Sequence, residues 1–185
     1  TNDTTVSERL VESQPPAPET DRLGWENGVW ANATLAIDQS DGIQRGELRA
    51  LTARTMARTE RVRGIEFDRT PPIRVISRQQ AQNESSETAA LNESERFVLN
   101  AQYEALFVIP ESTDAIESRQ ALFGSGVGGY YAPGSQSITM VSPTEDTLRV
   151  KENTLSQELF HAQQDNQFDL IAPTETIEDR NALRS

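Results

Sequence analysis

One segment of the chain has residue types and a spacing suited to metal-dependent hydrolysis. Glu158 is followed three residues later by His161, and Gln157 stands directly before Glu158. In the pattern H-E-x-x-H, two histidines four residues apart on one helix face bind a zinc ion, and the glutamate between them takes a proton from zinc-bound water. Here the first histidine position holds Gln157, and His161 is the single histidine of the sequence.

These positions define the candidate site residues. Glu158 occupies the general-base position and is interpreted as a vestigial base, His161 is the second metal ligand, and Gln157 replaces the first. A neutral amide oxygen is a weaker zinc ligand than an imidazole, and complete structural zinc sites contribute about 10–16 kcal/mol. Asp165, one turn after His161, is a further candidate ligand through its carboxylate. We therefore expect no cofactor, with zinc as the cofactor of the alternative in which the site is active.

The sequence around this motif resembles a family of zincin-like metallopeptidases. Members of that family read T-L-A-H-E-L-x-H-A-L-Q-D-Q-H-F-D-L where this chain reads T-L-S-Q-E-L-F-H-A-Q-Q-D-N-Q-F-D-L, over residues 154–170. The family also has a G-x-Y-x-P turn and a strand ending in V-S before this helix, so the similarity spans residues 128–170. The resemblance implies an α+β, zincin-like domain with a small mixed or antiparallel sheet and an active-site helix, truncated after that helix.

The departures from the family pattern bear on activity. Gln157 and Gln167 each stand where the family has a histidine, and the family's third ligand, a glutamate in an E-G-D-A-like stretch of a following helix, is not found before Ser185. The comparison favours a degenerate, metallopeptidase-like extracellular domain without zinc hydrolysis that serves in surface assembly or recognition. One alternative is an active zinc metallopeptidase fragment completed by a separate C-terminal chain. The other is a purely structural surface or particle glycoprotein, which a signature helix not packed behind the strand at 138–141 would favour.

The early end of the family pattern also predicts a partner. A domain cut between two packed helices leaves apolar surface open, and such patches mark interaction sites. We therefore expect a protein partner, or the separate C-terminal chain, near residues 155–171.

Composition restricts the classes of partner and the setting. The 185 residues include 29 Asp and Glu against 17 Lys and Arg, and the formal net charge is −12. Such a surface repels nucleic-acid phosphates and anionic membranes, and no apolar run approaches the roughly 20 residues of a membrane span. The absence of cysteine excludes disulfides and thiolate ligands. A single lysine, Lys151, in so acidic a chain favours adaptation to high salt, as in surface proteins of salt-loving archaea.

Four glycosylation sequons indicate a location outside the cell. They share the pattern Asn-x-Ser/Thr and begin at Asn2, Asn32, Asn83 and Asn92. The sequence also starts at Thr1 rather than methionine, which indicates that an upstream segment was removed. We therefore expect a secreted or cell-surface protein.

The elements that must position the site follow from periodicity and turn residues. Residues 1–20, polar, acidic and rich in proline, are predicted to be a disordered acidic tail or tether, and residues 21–185 a single domain. An apolar and threonine stripe predicts a helix over 45–63, with Ser40 or Asp41 as N-cap and Gly64 as its stop.

The second half is predicted in the same way. Residues 73–77 form a strand, 79–88 a loop, and 94–106 a helix with Phe97, Val98, Ala101 and Leu106 in the core. A hairpin covers 129–141, and the signature helix covers 148–168.

Overall fold

The computed structural model describes residues 8–88, 93–94, 96–97, 100–101, 110, 114, 116–117, 126–144 and 146–168. The architecture is mixed, with helices packed on a small sheet, so the α+β prediction is confirmed. The described elements in chain order are a 3-10 turn Glu8–Leu10, β1 Val11–Ser13, β2 Trp25–Glu26, β3 Val29–Trp30, β4 Thr34–Leu35, α1 Arg45–Arg63, β5 Ile73–Ile76, α2 Arg78–Thr88, β6 Gly129–Ala132, a 3-10 turn Pro133–Ser135, β7 Ser137–Val141 and α3 Glu152–Phe168. None of the described helices is both long and apolar enough to cross a membrane.

A three-stranded sheet in the order β5-β7-β6 forms the centre of the fold. β5 runs parallel to β7, with Ile73 opposite Ile138, and β6 runs antiparallel to β7, with Tyr131 opposite Ile138. The predicted hairpin is confirmed as β6 and β7, joined by the 3-10 turn at Pro133–Ser135. Two further two-stranded sheets, β1-β4 and β2-β3, lie in the N-terminal part.

Helix α1 spans Arg45–Arg63 as predicted, and Gly64 ends it in the left-handed region at φ 70°. The N-cap differs from the prediction, because Gln44 rather than Ser40 or Asp41 takes that position. The Gln44 N–H donates to the Glu47 carboxylate at 2.9 Å in a capping box. The end of the predicted apolar stripe also differs, since Val62 is 83% exposed.

The main core lies between the sheet and the helices α1 and α3. It consists of Leu51, Met56, Phe67, Ile138, Met140, Val150, Leu155, Leu159 and Ala162. Both α3 leucines are fully buried, and α3 contacts both β6 and β7. The signature helix therefore packs behind the strand at 138–141. The feature that would favour a purely structural glycoprotein is not found.

Helix α3 begins at Glu152, four residues after its predicted start at Leu148. The preceding residues are held by the loop before α1. The Leu148 carbonyl accepts the Ile43 N–H at 2.7 Å, and the Gln39 side chain bonds both the N–H and the carbonyl of Val150. These bonds keep residues 148–150 out of the helix.

The loop predicted over residues 79–88 is wrong, because the chain forms helix α2 over Arg78–Thr88. Its start is capped reciprocally: the Ser77 N–H donates to Gln80 Oε1 at 3.0 Å, and the Gln80 N–H donates to Ser77 Oγ at 3.2 Å. Ala81 is buried against β5 and β7. Arg74 of β5 forms two hydrogen bonds with the Glu84 carboxylate, and this ion pair joins α2 to β5. Strand β5 itself ends at Ile76, one residue earlier than predicted. A cap, one buried alanine and an ion pair therefore support a helix without an apolar stripe.

The prediction of a disordered tail over residues 1–20 is wrong for residues 8–13, which form a 3-10 turn and strand β1. β1 pairs antiparallel with β4, and Leu10 and Val11 pack against a cluster that includes Val29 and Ala50. The Leu10 carbonyl also accepts the Ala36 N–H at 3.0 Å. Backbone pairing and two apolar side chains therefore hold residues 8–13 on the domain.

The helix predicted over 94–106 falls mostly outside the described residues. Residues 94, 96–97 and 100–101 are helical. Phe97 is 73% exposed and Ala101 is exposed, against the prediction that both lie in the core. Val98 and Leu106 lie outside the described residues.

Candidate functional site

The four predicted site residues share one side of α3. With about 3.6 residues per turn, Gln157, Glu158, His161 and Asp165 fall within roughly 100° of one another around the helix axis. Burial increases across this sector, since Gln157 and His161 are exposed, Glu158 is half-buried and Asp165 is buried. The buried edge of the sector faces strand β6. Gln167, the other histidine replacement, is exposed near the helix end.

Strand β6 engages Glu158 through its backbone. The Gly128 carbonyl accepts the Val141 N–H at 2.9 Å, and alternation along the antiparallel ladder turns the Tyr131 N–H away from β7. The Glu158 carboxylate accepts this N–H. Burial raises the pKa of Glu158, and the charge of His161 and the Tyr131 N–H oppose that rise. Glu158, the predicted general base, therefore accepts a backbone N–H at the edge of the sheet.

Asp165 is engaged by the same tyrosine. The Tyr131 hydroxyl donates to Asp165 Oδ2 at 2.7 Å, and burial together with this bond raises the pKa of Tyr131 above its usual value. Tyr131 thus bonds two of the predicted site residues, one through its backbone and one through its side chain. Asp165 joins α3 to the sheet, rather than pointing toward His161.

The exposed half of the site has different surroundings. His161 Nδ1 lies 3.3 Å from Gln164 Oε1, and its ring centroid lies 5.9 Å from that of Phe160. Gln157 lines a groove of about 350 Å³ between α1 and α3. The other residues that line this groove are Arg58, Thr59, Val62, Arg63, Ser156 and Phe160.

The donor set does not fit zinc. Among the described residues, one group of three carboxyl or imidazole side chains has its oxygen or nitrogen atoms within 4.8 Å of one another. This group consists of Asp21, Glu26 and Glu66, which are far from α3 in sequence. Glu158, His161 and Asp165 form no such group within the described part of the chain. Tetrahedral catalytic zinc takes three protein ligands that converge on one point. Here the His161 ring lies 3.3 Å from the Gln164 amide oxygen, and the carboxylates of Glu158 and Asp165 bond Tyr131.

Close packing of Gly129 against β7 and α3 predicts a large effect for one small substitution. A Cβ at Gly129 would lie 3.0 Å from Met140 Sδ, 3.2 Å from the Thr139 carbonyl oxygen and 3.4 Å from Glu158 Cγ. Gly129→Ala is therefore expected to lower the free energy of unfolding by about 1–3 kcal/mol, the usual cost of overpacking. Urea denaturation followed by circular dichroism measures the change.

The control for that substitution lies in the same hairpin. A Cβ at Gly134 would meet nothing within 4 Å, so Gly134→Ala is expected to change stability by less than about 0.5 kcal/mol, as for ordinary surface changes. Equal losses for the two variants would contradict the close packing around Gly129.

The apolar residues of α3 are mostly covered by the chain itself. Leu155 and Leu159 are fully buried, whereas Phe168 is 66% exposed. Phe160 is partly buried, and the Arg63 guanidinium lies over its ring at 4.2 Å. Apolar surface within residues 155–168 is therefore concentrated at the groove and at the helix end.

Two of the four sequons lie in the described part of the chain. Asn32 is exposed in the turn between β3 and β4, and Asn83 is exposed on α2. Asn2 and Asn92 lie outside the described residues. Side-chain exposure at Asn32 and Asn83 is what a glycan acceptor needs.

Sequence reasoning missed a cluster of carboxyl groups at the other end of α1. Glu26 and Glu60 are buried and lie close to Asp21 and Glu66. One signal was available, because Glu60 lies four residues after Met56 and hence on the buried side of α1. A glutamate at such a position needs partners.

Comparisons of the chain with protein-family models, curated proteins and solved structures found no match. The zincin-like resemblance therefore stays a prediction that rests on residues 128–170.

Proposed function

We propose that this chain is a degenerate, metallopeptidase-like domain with a zincin-like fold, which does not hydrolyse peptides with zinc and serves in surface assembly or recognition. One observation carries the proposal: Tyr131 bonds both carboxylates of the candidate site, Glu158 through its N–H and Asp165 through its hydroxyl. The motif's polar groups thereby hold α3 to the sheet.

This arrangement opposes general-base catalysis. A base in this position must reach a water molecule that a metal has made acidic. Here Gln157 supplies an amide where the pattern needs an imidazole, and the Glu158 carboxylate takes a backbone N–H from β6. The same contacts stabilise the fold, which gives a reason to keep Glu158 after hydrolysis is lost.

The groove between α1 and α3 supports a role in recognition. Val62 and Phe160 supply apolar surface, and Arg58 and Arg63 lie beside it in a chain of net charge −12. A partner with an apolar anchor flanked by carboxylates would fit this chemistry. The acidic, lysine-poor composition and the sequons support a location at a cell surface in high salt.

Restoring the missing imidazole tests the proposal. The wild-type protein is expected to bind no stoichiometric zinc and to leave a casein substrate uncleaved. Gln157→His places a second imidazole one turn from His161, so zinc affinity measured by calorimetry is expected to rise about tenfold or more. Ser156→His is the matched control, because it adds an imidazole outside the i, i+4 spacing and is expected to leave zinc affinity near the wild-type value.

Stoichiometric zinc in the purified wild-type protein, together with peptide cleavage that Glu158→Gln abolishes, would contradict the proposal. A gain of affinity in Ser156→His equal to that in Gln157→His would show that the signature spacing has no special role.

A further inference from the structure

Four carboxyl groups meet where the β2–β3 hairpin lies on the C-terminal end of α1. Carboxylate oxygens of Asp21, Glu26 and Glu66 lie within 4.8 Å of one another. Glu60, which is fully buried, is hydrogen-bonded to both Glu26 and Glu66. We call Asp21, Glu26, Glu60 and Glu66 the acid cluster.

Glu60 is the centre of the acid cluster and anchors two backbone segments. Its Oε2 accepts the Gly24 N–H at 3.0 Å, and its Oε1 accepts the Phe67 N–H at 3.0 Å. A hydrogen bond between two carboxyl groups needs a proton on one of them. One carboxyl group carries at most one proton, so the two contacts of Glu60 require a proton on Glu26, on Glu66 or on both. The raised pKa values of Glu26 and Glu66 assign the protons to these two residues.

The charged groups that act on Glu26 are all acidic. Burial raises its pKa most, followed by the hydrogen bond and charge of Glu60 and then by the charges of Asp21 and Glu66, to about 9. The same causes raise the pKa of Glu66 to about 7. On α1, the Arg61 side chain runs past Gly24 and its guanidinium lies 5.0 Å over the Trp30 ring.

The hairpin beside the acid cluster carries both tryptophans of the chain. Trp25 pairs with Trp30 across β2 and β3, and their ring centroids lie 5.4 Å apart. Trp25 is 2% exposed, and both strands contact α1. The Gly24 N–H bond to Glu60 holds the first residue before this hairpin.

We propose that the acid cluster is a pH-sensitive latch, in which protons shared with Glu60 hold the Trp25–Trp30 hairpin on α1 and their loss at alkaline pH releases it. Deprotonation of Glu66 and then Glu26 removes the donors of the carboxyl–carboxyl bonds. It also places like charges side by side, and the buried positions of Glu26 and Glu60 limit their screening by water. Opening the hairpin hydrates these charges and lets their pKa values return toward 4.5, the ordinary value.

The sign of the effect follows from proton binding. A carboxyl group whose pKa is raised in the closed state holds its proton there at pH values where the open state has lost it. The closed state is therefore fully favoured below pH 4.5, and the preference is lost as pH rises through about 7 for Glu66 and about 9 for Glu26.

Tryptophan fluorescence of the full chain tests the latch directly. The emission maximum and acrylamide quenching are measured from about pH 5 to about pH 9.5, a range below tyrosine ionisation, with a chelator present to exclude trace metals. We expect a red shift and a several-fold rise in quenching, with a midpoint between about 7 and about 9. Far-UV circular dichroism is expected to retain most of its helical signal through this transition.

Variants separate the latch from general alkaline unfolding. Glu26→Gln keeps a donor toward Glu60 but cannot titrate, so it is expected to remove the transition or move it above the measured range. Glu66→Gln serves the same purpose for the lower step and is the second variant if Glu26→Gln does not fold. Asp68→Asn, in the same loop but outside the acid cluster, is the matched control and is expected to keep the wild-type midpoint.

Two results would overturn the proposal. One is wild-type emission that stays constant across the whole pH range. The other is a transition with the same midpoint in the wild type, Glu26→Gln and Glu66→Gln.

Discussion

Leu159→Ala is expected to lower the free energy of unfolding by about 3 kcal/mol, within the range measured for buried leucines. Leu159 is fully buried where α3 packs on the sheet, in one cluster with Ile138 and Met140. The substitution removes apolar burial and leaves a cavity that the rigid sheet cannot fill. Urea denaturation monitored by circular dichroism gives the value.

The control for Leu159→Ala is two residues away. Gln157→Ala truncates an exposed side chain on the same helix, so its effect is expected to stay within about 0.5 kcal/mol. A loss below about 1 kcal/mol for Leu159→Ala, smaller than any in the buried-leucine range, would show that α3 does not pack on the sheet. It would thereby also contradict the contacts of Tyr131 with α3 that carry the zincin-like proposal.

Glu60→Ala is expected to cost about 3–5 kcal/mol, as for the loss of one partner in a buried polar network. The substitution leaves the N–H groups of Gly24 and Phe67 without the carboxylate that accepts both at 3.0 Å. It also removes the acceptor for Glu26 and Glu66. Thermal and urea unfolding at about pH 6, below the raised pKa values of Glu26 and Glu66, measure the loss.

Asp68→Ala provides the comparison for Glu60→Ala. It removes an exposed carboxylate close to Phe67, and its effect is expected to be within about 0.5 kcal/mol. If both variants lost the same stability, the effect at Glu60 would reflect net charge, and the anchoring of two backbone segments by one carboxylate would be contradicted.

The sequence correctly predicted those elements in which the pattern of apolar and turn residues matches the way the element packs. Helix α1 was found because its apolar and threonine stripe ends at Gly64, although its N-cap, Gln44, was not predicted. The β6–β7 hairpin was found because Pro133 and Gly134 interrupt alternating apolar residues. Helix α2 was missed because its polar sequence contains one apolar residue, Ala81, so periodicity carried no signal. Its cap and its ion pair to Arg74 become visible only in three dimensions.

The candidate site was predictable in position but not in chemistry. Spacing alone placed Gln157, Glu158, His161 and Asp165 on one side of a helix. Nothing in the spacing showed that Tyr131, in a different element, would bond Glu158 and Asp165. The acid cluster escaped for a related reason, since sequence patterns assign glutamates to the surface, whereas Glu60 and Glu26 gain their burial from contacts between distant segments.

The parallel pairing of β5 with β7 has a consequence for how the chain folds. These neighbouring strands are separated by about 60 residues of sequence, whereas α1 lies within a few tens of residues of the β2–β3 hairpin that packs on it. Closing a long loop costs entropy before any pairing is gained, and distant contacts form slowly. The unit of β2, β3 and α1 can therefore form early from contacts between residues that are close in sequence. The central sheet forms only after β7 has paired with β5.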